Sequence, residues 1–217
     1  MTEHYRVADR HPPLPDDLTE LLGTVETATI GHVEYTGFAG SNVRPVFPAH
    51  VAGSALTVAA PGRDGTVIYK ALDLLRPGDV LVIARVDGDD IACVGGGVAL
   101  AAKTKGAAAI IVDGPCTDTA EIREVGLPVW CCGVSNRTTN RKFRIGGAIN
   151  LPVACGGAAV LPGYAVLADE EGVFFAERNL MREIAQSALE RQAASVSVRR
   201  HLASGKSIFD YRQEHES

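Results

Sequence analysis

The chain has 217 residues, a formal net charge of −5 and 46% hydrophobic residues. That length suits one domain with a real core, and the acidic balance argues against nucleic acid as a main partner, because phosphate binding needs a basic face. Twenty-three glycines and only 6% aromatics point to tight turns and a core of small aliphatics.

The five cysteines, Cys93, Cys116, Cys131, Cys132 and Cys155, show neither a C-x-x-C pair nor a Cys/His zinc spacing. They read as reduced thiols of a cytoplasmic protein. The first residues, MTEHYRVADRHPPLP, lack the apolar core of a signal peptide. No apolar run approaches the roughly 20 residues of a membrane span, so no membrane partner is expected.

In chain order, residues 1–15 read as a loose arm with three prolines near its end. Asp16 or Asp17 is placed to cap a helix through Leu21 and Leu22, closed by Gly23. A second helical segment covers residues 25–28. His32 follows it and is a candidate to line a site, the alternative being a histidine satisfied by backbone partners. Residues 43–47 carry Arg44 before Pro45, and Pro48 limits any strand there. Residues 51–59 alternate as a strand, with Ala55, Thr57 and Ala59 on one side and Leu56 and Val58 on the other. Residues 67–75 have helical apolar spacing, and RPGD from Arg76 is a turn. Residues 80–85 are a buried strand. Asp87, Gly88, Asp89 and Asp90 form the turn after it and read as solvated rather than as metal ligands.

The stretch from Ile91 to Asp118 carries most of the functional signal. Gly95, Gly96 and Gly97 precede a helix starting at Val98, with Gly106 as the expected stop. Residues 107–112 are a strand covered on both faces. The loop after it holds Asp113, Cys116, Thr117 and Asp118. Cys116 is either a bland loop thiol or a nucleophile. A short helix over residues 119–125, ended by Gly126, and a buried strand over residues 127–132 follow. Residues 135–177 are β-rich, with turns at close spacing. From Asn179 a helix places Leu180, Ile184, Ala188 and Leu189 on one face. The tail from Ser204 keeps Phe209 and Tyr211, which are expected to dock on a neighbouring surface. The order implies an α/β fold: one α/β layer and one β-rich layer in a single domain. Its expected parts are an arm and helix (1–26), a core (27–177) and a C-terminal helix and tail (178–217).

The glycine turn offers the amides of Gly96, Gly97, Val98 and Ala99 at a helix start, where the macrodipole favours an anion. Neither a Walker A order nor a dinucleotide fingerprint is present. Asp118 is the better metal candidate of the two loop acids, since Asp113 sits just before Gly114 and fixes the turn. One carboxylate completed by waters and substrate oxygens is an ordinary Mg²⁺ arrangement. Such a site suits a small anionic substrate: a 2-oxo acid chelated through its carboxylate and keto oxygen.

These blocks resemble the family of class II pyruvate aldolases typified by 4-hydroxy-4-methyl-2-oxoglutarate aldolase, which includes the RraA regulators of ribonuclease activity. The resemblance covers residues 27–176. It is carried by GSALTV from Gly53, RPGDVLVI from Arg76, GGGVALAAKTKGAAAIIVDG from Gly95, LPVWCCGVS from Leu127, GGAINLPVACGGAAVLPG from Gly146 and ADEEGV from Ala168. It implies an α/β/β sandwich of the swivelling-domain type, assembled as a homotrimer or a dimer of trimers. It also implies a divalent metal, Mg²⁺ or Mn²⁺, and cleavage or decarboxylation of oxo acids to pyruvate. The family loop D-G-x-x-R-D implies that Asp118 binds the metal and that the turn amides bind the pyruvyl carboxylate.

Three positions depart from the family pattern. Thr117 stands where the substrate-binding Arg is expected, Gly96 where an acid is frequent, and Tyr164 where P-G-D is usual. Losing one such charge-assisted donor costs about 2.7–4 kcal/mol of transition-state stabilisation. Three functions follow as expectations. The first is a metal-dependent lyase in which Arg44, Arg137, Arg141 or Arg144 supplies the missing charge. The second is another acid-processing enzyme (isomerase, hydratase or decarboxylase) in which His32 or Cys116 marks new chemistry. The third is a non-catalytic protein-binding regulator.

Overall fold

A computed structural model describes residues 4–88, 90–142 and 145–215, with side chains up to residue 211. Asp89 of the expected turn and Arg144 of the candidate cations lie outside the described residues. The organising strand is β3, as numbered along the chain. The elements before it are β1 (Tyr5–Val7), α1 (Asp16–Leu22), α2 (Thr27–Ile30) and β2 (Arg44–Pro45). Then β3 (Val51–Ala60), α3 (Thr66–Leu72), β4 (Asp79–Arg85), α4 (Gly96–Thr104), β5 (Ala109–Asp113), α5 (Thr119–Val125) and β6 (Val129–Cys131) alternate. β3, β4, β5 and β6 are successive parallel neighbours. Parallel pairing requires crossovers, and the helices supply them.

The alternation along β4 explains why both faces are covered. Leu81 and Ile83 join Val67, Ile68, Val98, Ala99 and Ile122 of α3, α4 and α5. Val80 and Val82 point the other way, to Trp130, Phe175, Cys155 and Val160. Cys155 and Val160 come from the hairpin of β8 (Val153–Cys155) and β9 (Ala158–Val160), which follows β7 (Gly147–Ile149). The result is three layers: helices, a central sheet and a β-hairpin layer. Each large aliphatic buried this way contributes about 1.5–3 kcal/mol. The Trp130 indole N–H satisfies itself on the Asp169 carbonyl at 2.9 Å.

β10 (Ala165–Ala168) extends the sheet antiparallel to β3, and β11 (Val173–Ala176) pairs with β10. α6 (Arg178–Ala203) then packs on α1 and α2, and α7 (Ile208–His215) turns back on it. The Glu177 carboxylate caps α6 by accepting from Asn179 N (2.9 Å) and Leu180 N (3.2 Å). Such a cap satisfies donors that the helix itself cannot. Among the described residues no helix is long and apolar enough to cross a membrane.

The structure corrects three expectations. The arm is not loose: β1 pairs with β7, and the Tyr5 hydroxyl donates to Thr66 Oγ1 at 2.7 Å. The buried face of α6 is Met181, Ile184, Ala185 and Ala188, while Leu180 is 48% exposed. The apolar stripe is rotated because Met181 and Ala185 share a turn spacing with Ile184 and Ala188. Phe209 is 73% exposed, whereas Tyr211 bonds the Ser197 hydroxyl at 2.5 Å and meets His201 edge-on.

Candidate active site

β4 and β5 are neighbours, so the segments leaving their C-terminal ends meet, as is usual for ligand sites of α/β sheets. The first holds Gly95 and the start of α4. α4 ends in a Schellman motif: Gly106 has φ +83°, its N–H reaches Lys103 O, and Ala107 N reaches Ala102 O. That tight stop feeds the chain directly into β5. The second segment, residues 114–118, is stitched on both sides. Thr117 N donates to Val94 O, Cys116 N to Gly133 O, and Ser135 N to Cys116 O, each at 2.9 Å.

This framework brings Asp118 onto the glycine turn. Asp118 has φ +52°, a left-handed conformation that Asp tolerates better than most residues. It precedes α5 without capping it. Instead, Oδ2 accepts from Gly96 N at 3.3 Å and Oδ1 from the Thr117 hydroxyl at 3.3 Å. Gly95 makes room for this: a Cβ there would sit 2.5 Å from Asp118 Oδ2.

Gly95, Gly97, Val98, Thr117 and Asp118 line one cavity of about 520 Å³, with Tyr69 and Leu72 of α3 and with Thr138, Thr139 and Arg141. The structure thus unites the glycine turn, Thr117 and Asp118, as the sequence suggests. Among the predicted amides, Gly97 and Val98 keep free N–H groups among the described residues. Gly96 N is turned to Asp118, and Ala99 N is committed to Gly95 O at 3.0 Å. Ala99 is fully buried, so it serves the helix and not a ligand.

His32 is not part of this site. It lines a separate cleft of about 410 Å³ with Arg191, Arg199 and Tyr211, because α2 packs on α6. Cys116 is fully buried, with its Sγ 3.4 Å from that of Cys131, and does not face the cavity. Tyr164 lines yet another cleft, beside Phe175, so its departure from the family pattern does not touch Asp118.

The candidate cations separate clearly. Arg44 donates to Ser41 O and Glu171 O, and Arg137 pairs with Asp90 at 3.4 Å. Arg141 alone of the described three lines the Asp118 cavity. Two residues were missed by sequence reasoning. Tyr69 receives Arg141, and Glu121 packs its carboxyl over Gly96, where a Cβ would overlap it. The three-residue step from Asp118 to Glu121 along α5 was the available signal for the latter.

The donor set fits Mg²⁺ or Mn²⁺ better than zinc. Among the described residues no group of three or more His, Cys, Asp or Glu is placed to hold a metal. An exposed Asp118 carboxylate on the cavity wall leaves most of a coordination sphere to waters and substrate, as hard cations prefer.

Comparison with known proteins identifies the family. Residues 22–175 match the RraA-like family, Aldolase/RraA. A Halalkalibacterium halodurans protein provisionally named 4-hydroxy-4-methyl-2-oxoglutarate aldolase is 33% identical over 144 residues, covering 66% of this chain and 67% of that one. The 4-hydroxy-4-methyl-2-oxoglutarate aldolase of Thermus thermophilus is 31% identical over 110 residues, 51% of this chain and 66% of that one. The crystal structure of Streptomyces coelicolor RraAS2, described as an unusual member of the RNase ES inhibitor RraA family, superposes with a TM-score of 0.75 at 28% identity. It covers 88% of this chain and 98% of that one. The chain therefore belongs to the RraA-like family of aldolases and RraA proteins.

Proposed function

We propose that this protein is a divalent-metal-dependent lyase. Its reaction is aldol cleavage or decarboxylation of a small 2-oxo or hydroxy acid, giving pyruvate or a related oxo acid. The names of its curated relatives support an aldolase-type lyase. The observation that carries the reading to this chain is the Asp118 carboxylate held against the Gly96 amide on the wall of a cavity of about 520 Å³. Bound at Asp118, Mg²⁺ or Mn²⁺ would act as a Lewis acid toward the keto oxygen.

The chain's own groups do the rest. The free Gly97 and Val98 amides, at the positive end of α4, donate to the substrate carboxylate. The absence of a Cβ at Gly95 and Gly97 lets it approach the backbone. The Thr117 hydroxyl holds one Asp118 oxygen and so orients the other. We place the enzyme in the cytoplasm as a homotrimer or dimer of trimers.

A second reading, a non-catalytic RraA-like binding protein, is favoured by Thr117 in place of the arginine and by the likeness to RraAS2. A coupled lactate dehydrogenase assay separates the two. Oxaloacetate and 4-hydroxy-4-methyl-2-oxoglutarate are supplied to folded protein with and without Mg²⁺. Metal-dependent pyruvate release supports the lyase. Its absence with both substrates rejects the ordinary aldolase or decarboxylase reading and leaves the binding protein or an enzyme acting on a different acid.

A further inference from the structure

Arg141 follows a segment anchored on two sides and rests its side chain on Tyr69. Its backbone is fixed by the preceding residues: Ala92 N bonds Arg137 O (2.8 Å) and Thr139 N bonds Ala92 O (3.0 Å). On the other side, Asn140 N bonds Arg63 O (2.7 Å) and Gly65 N bonds Asn140 O (3.0 Å). Its side chain is fixed by Tyr69 of α3. Nε donates to the Tyr69 hydroxyl at 3.0 Å, and Cζ lies 5.3 Å from the ring centroid. Neither Nη atom has a hydrogen bond or ion pair with a described residue. An arginine stacked on an aromatic and bonded through Nε keeps its outward fork pre-organised for a carboxylate.

The extended segment before α4 sets the spacing of the two charged ends. Ala92 bridges Thr138, on the Arg141 side, and Val94 bridges Cys116, on the Asp118 side. Two residues of extended chain separate these bridges by roughly 7 Å. One cavity therefore presents a carboxylate and free helix amides at one end and a guanidinium at the other.

We infer that Arg141 is the specificity-determining residue of this cavity, binding the second carboxylate of a dianionic 2-oxo acid whose first carboxylate rests on the Gly97 and Val98 amides. Arg141 thus adds a cation from a separate segment at the far end of the substrate and does not replace the donor lost beside Asp118 at Thr117. This inference rests on the reading of the cavity as an oxo-acid site.

The test is titration calorimetry of the full chain in Mg²⁺, with pyruvate as the monoanion and 2-oxoglutarate as the dianion. Wild type is compared with Arg141→Met, Arg141→Lys and Asp118→Asn, each checked for native circular dichroism. Wild type prefers 2-oxoglutarate. Arg141→Met weakens 2-oxoglutarate roughly 10- to 100-fold, the range for a charge-assisted bond, and leaves pyruvate within about twofold. Arg141→Lys, which keeps the charge but loses the fork, falls between. An unchanged 2-oxoglutarate affinity in Arg141→Met, or an equal loss for both acids, overturns the role of Arg141. If in that case pyruvate still binds wild type and is lost in Asp118→Asn, the oxo-acid site itself stands. If neither acid binds wild type, both readings fall together.

Discussion

The Sγ atoms of Cys116 and Cys131 lie 3.4 Å apart in the core, and Cys116 precedes Asp118 by two residues. A hydrogen bond joins the two thiols, and it is the main force on both groups. It lowers Cys131 from 9.0 to about 6, against the opposing effect of burial. The same bond, reinforced by burial, raises Cys116. Cys131 therefore gives up its proton before Cys116 does.

A pH dependence of stability follows. Between about pH 6 and 9 the unfolded chain holds the Cys131 proton more tightly than the folded chain, so stability rises with pH across that window. The depressed Cys131 contributes fully above about pH 9 and is lost as pH falls through 6. The raised Cys116 contributes below about pH 9 and is lost above it. Cys131→Ser is expected to flatten the rise between pH 6 and 9. Urea midpoints at pH 6, 7.5 and 9 measure this; an unaltered slope in the variant would show that the Cys131 proton is not the source of the rise.

Asp118→Asn isolates charge from backbone. Asn tolerates the left-handed φ of +52° as Asp does, so stability is expected to change by less than about 1 kcal/mol. Metal-dependent kcat/KM should fall at least roughly 10²-fold, and Mn²⁺ binding seen by electron paramagnetic resonance should vanish. Asp118→Ala should lose the same activity and about 1–3 kcal/mol of stability besides, because alanine has no local polar contact to offset that φ. Full Mn²⁺ binding in Asp118→Asn would remove Asp118 as the ligand.

Gly95 and Gly96 are adjacent yet predict different outcomes. A Cβ at Gly95 meets Asp118 Oδ2 at 2.5 Å and Thr117 Cγ2 at 2.9 Å, both on a loop pinned by backbone bonds. Gly95→Ala is expected to cost about 1–3 kcal/mol and to push Asp118 off the turn, lowering metal affinity. A Cβ at Gly96 meets only the end of the Glu121 side chain, which can swing away. Gly96→Ala should cost less than about 1 kcal/mol, helped by better helix propensity. Thermal melts and Mn²⁺ titrations of the two variants compare them directly. Equal losses would mean that the Asp118 loop yields as easily as a free side chain.

Arg10→Met tests the docked arm. Arg10 pairs with Asp79 at 2.7 Å, where the side chains are 13% and 2% exposed, and Asp79 also accepts from Arg76 N at 2.6 Å. Removing the guanidinium strands a buried carboxylate, so about 3–5 kcal/mol should be lost. Arg10→Met combined with Asp79→Leu should recover most of it. A denaturant midpoint that does not move in Arg10→Met would show that the arm adds nothing to the fold.

That pair also marks where sequence reading stops. The alternation from β3 to β6 is legible because residues 80–84 and 109–112 are apolar on both faces and the helices between them keep their spacing. Asp118 and the glycine turn are legible as partners because both leave the same ends of neighbouring strands. Arg10 and Asp79 are 69 residues apart, and no local pattern joins them. His32 goes to its own cleft because of α2 packing on α6, a contact across most of the chain. The choice of Arg141 over Arg44 and Arg137 is made by Tyr69, 72 residues earlier. These three misses are long-range pairings that periodicity does not encode, whereas Glu121 and the buried face of α6 were local and open to a closer reading of helical spacing.

Thr117→Arg completes the account of charge in the cavity. Thr117 is half-buried on the cavity wall, its hydroxyl on Asp118 and its methyl near Gly95. An arginine there extends into the cavity toward the oxo end of the substrate, while Arg141 remains at the other. If catalysis lacks only that donor, pyruvate release from oxaloacetate should rise, up to roughly 10²–10³-fold in kcat. The preference for a dianion over a monoanion should persist, since Arg141 is untouched. A gain in kcat with unchanged dianion preference assigns the two cations separate tasks. A loss of dianion preference would mean that the new arginine displaces substrate from Arg141. No gain at all, in a variant that melts like wild type, would mean that Asp118 and the glycine turn no longer form a competent lyase site.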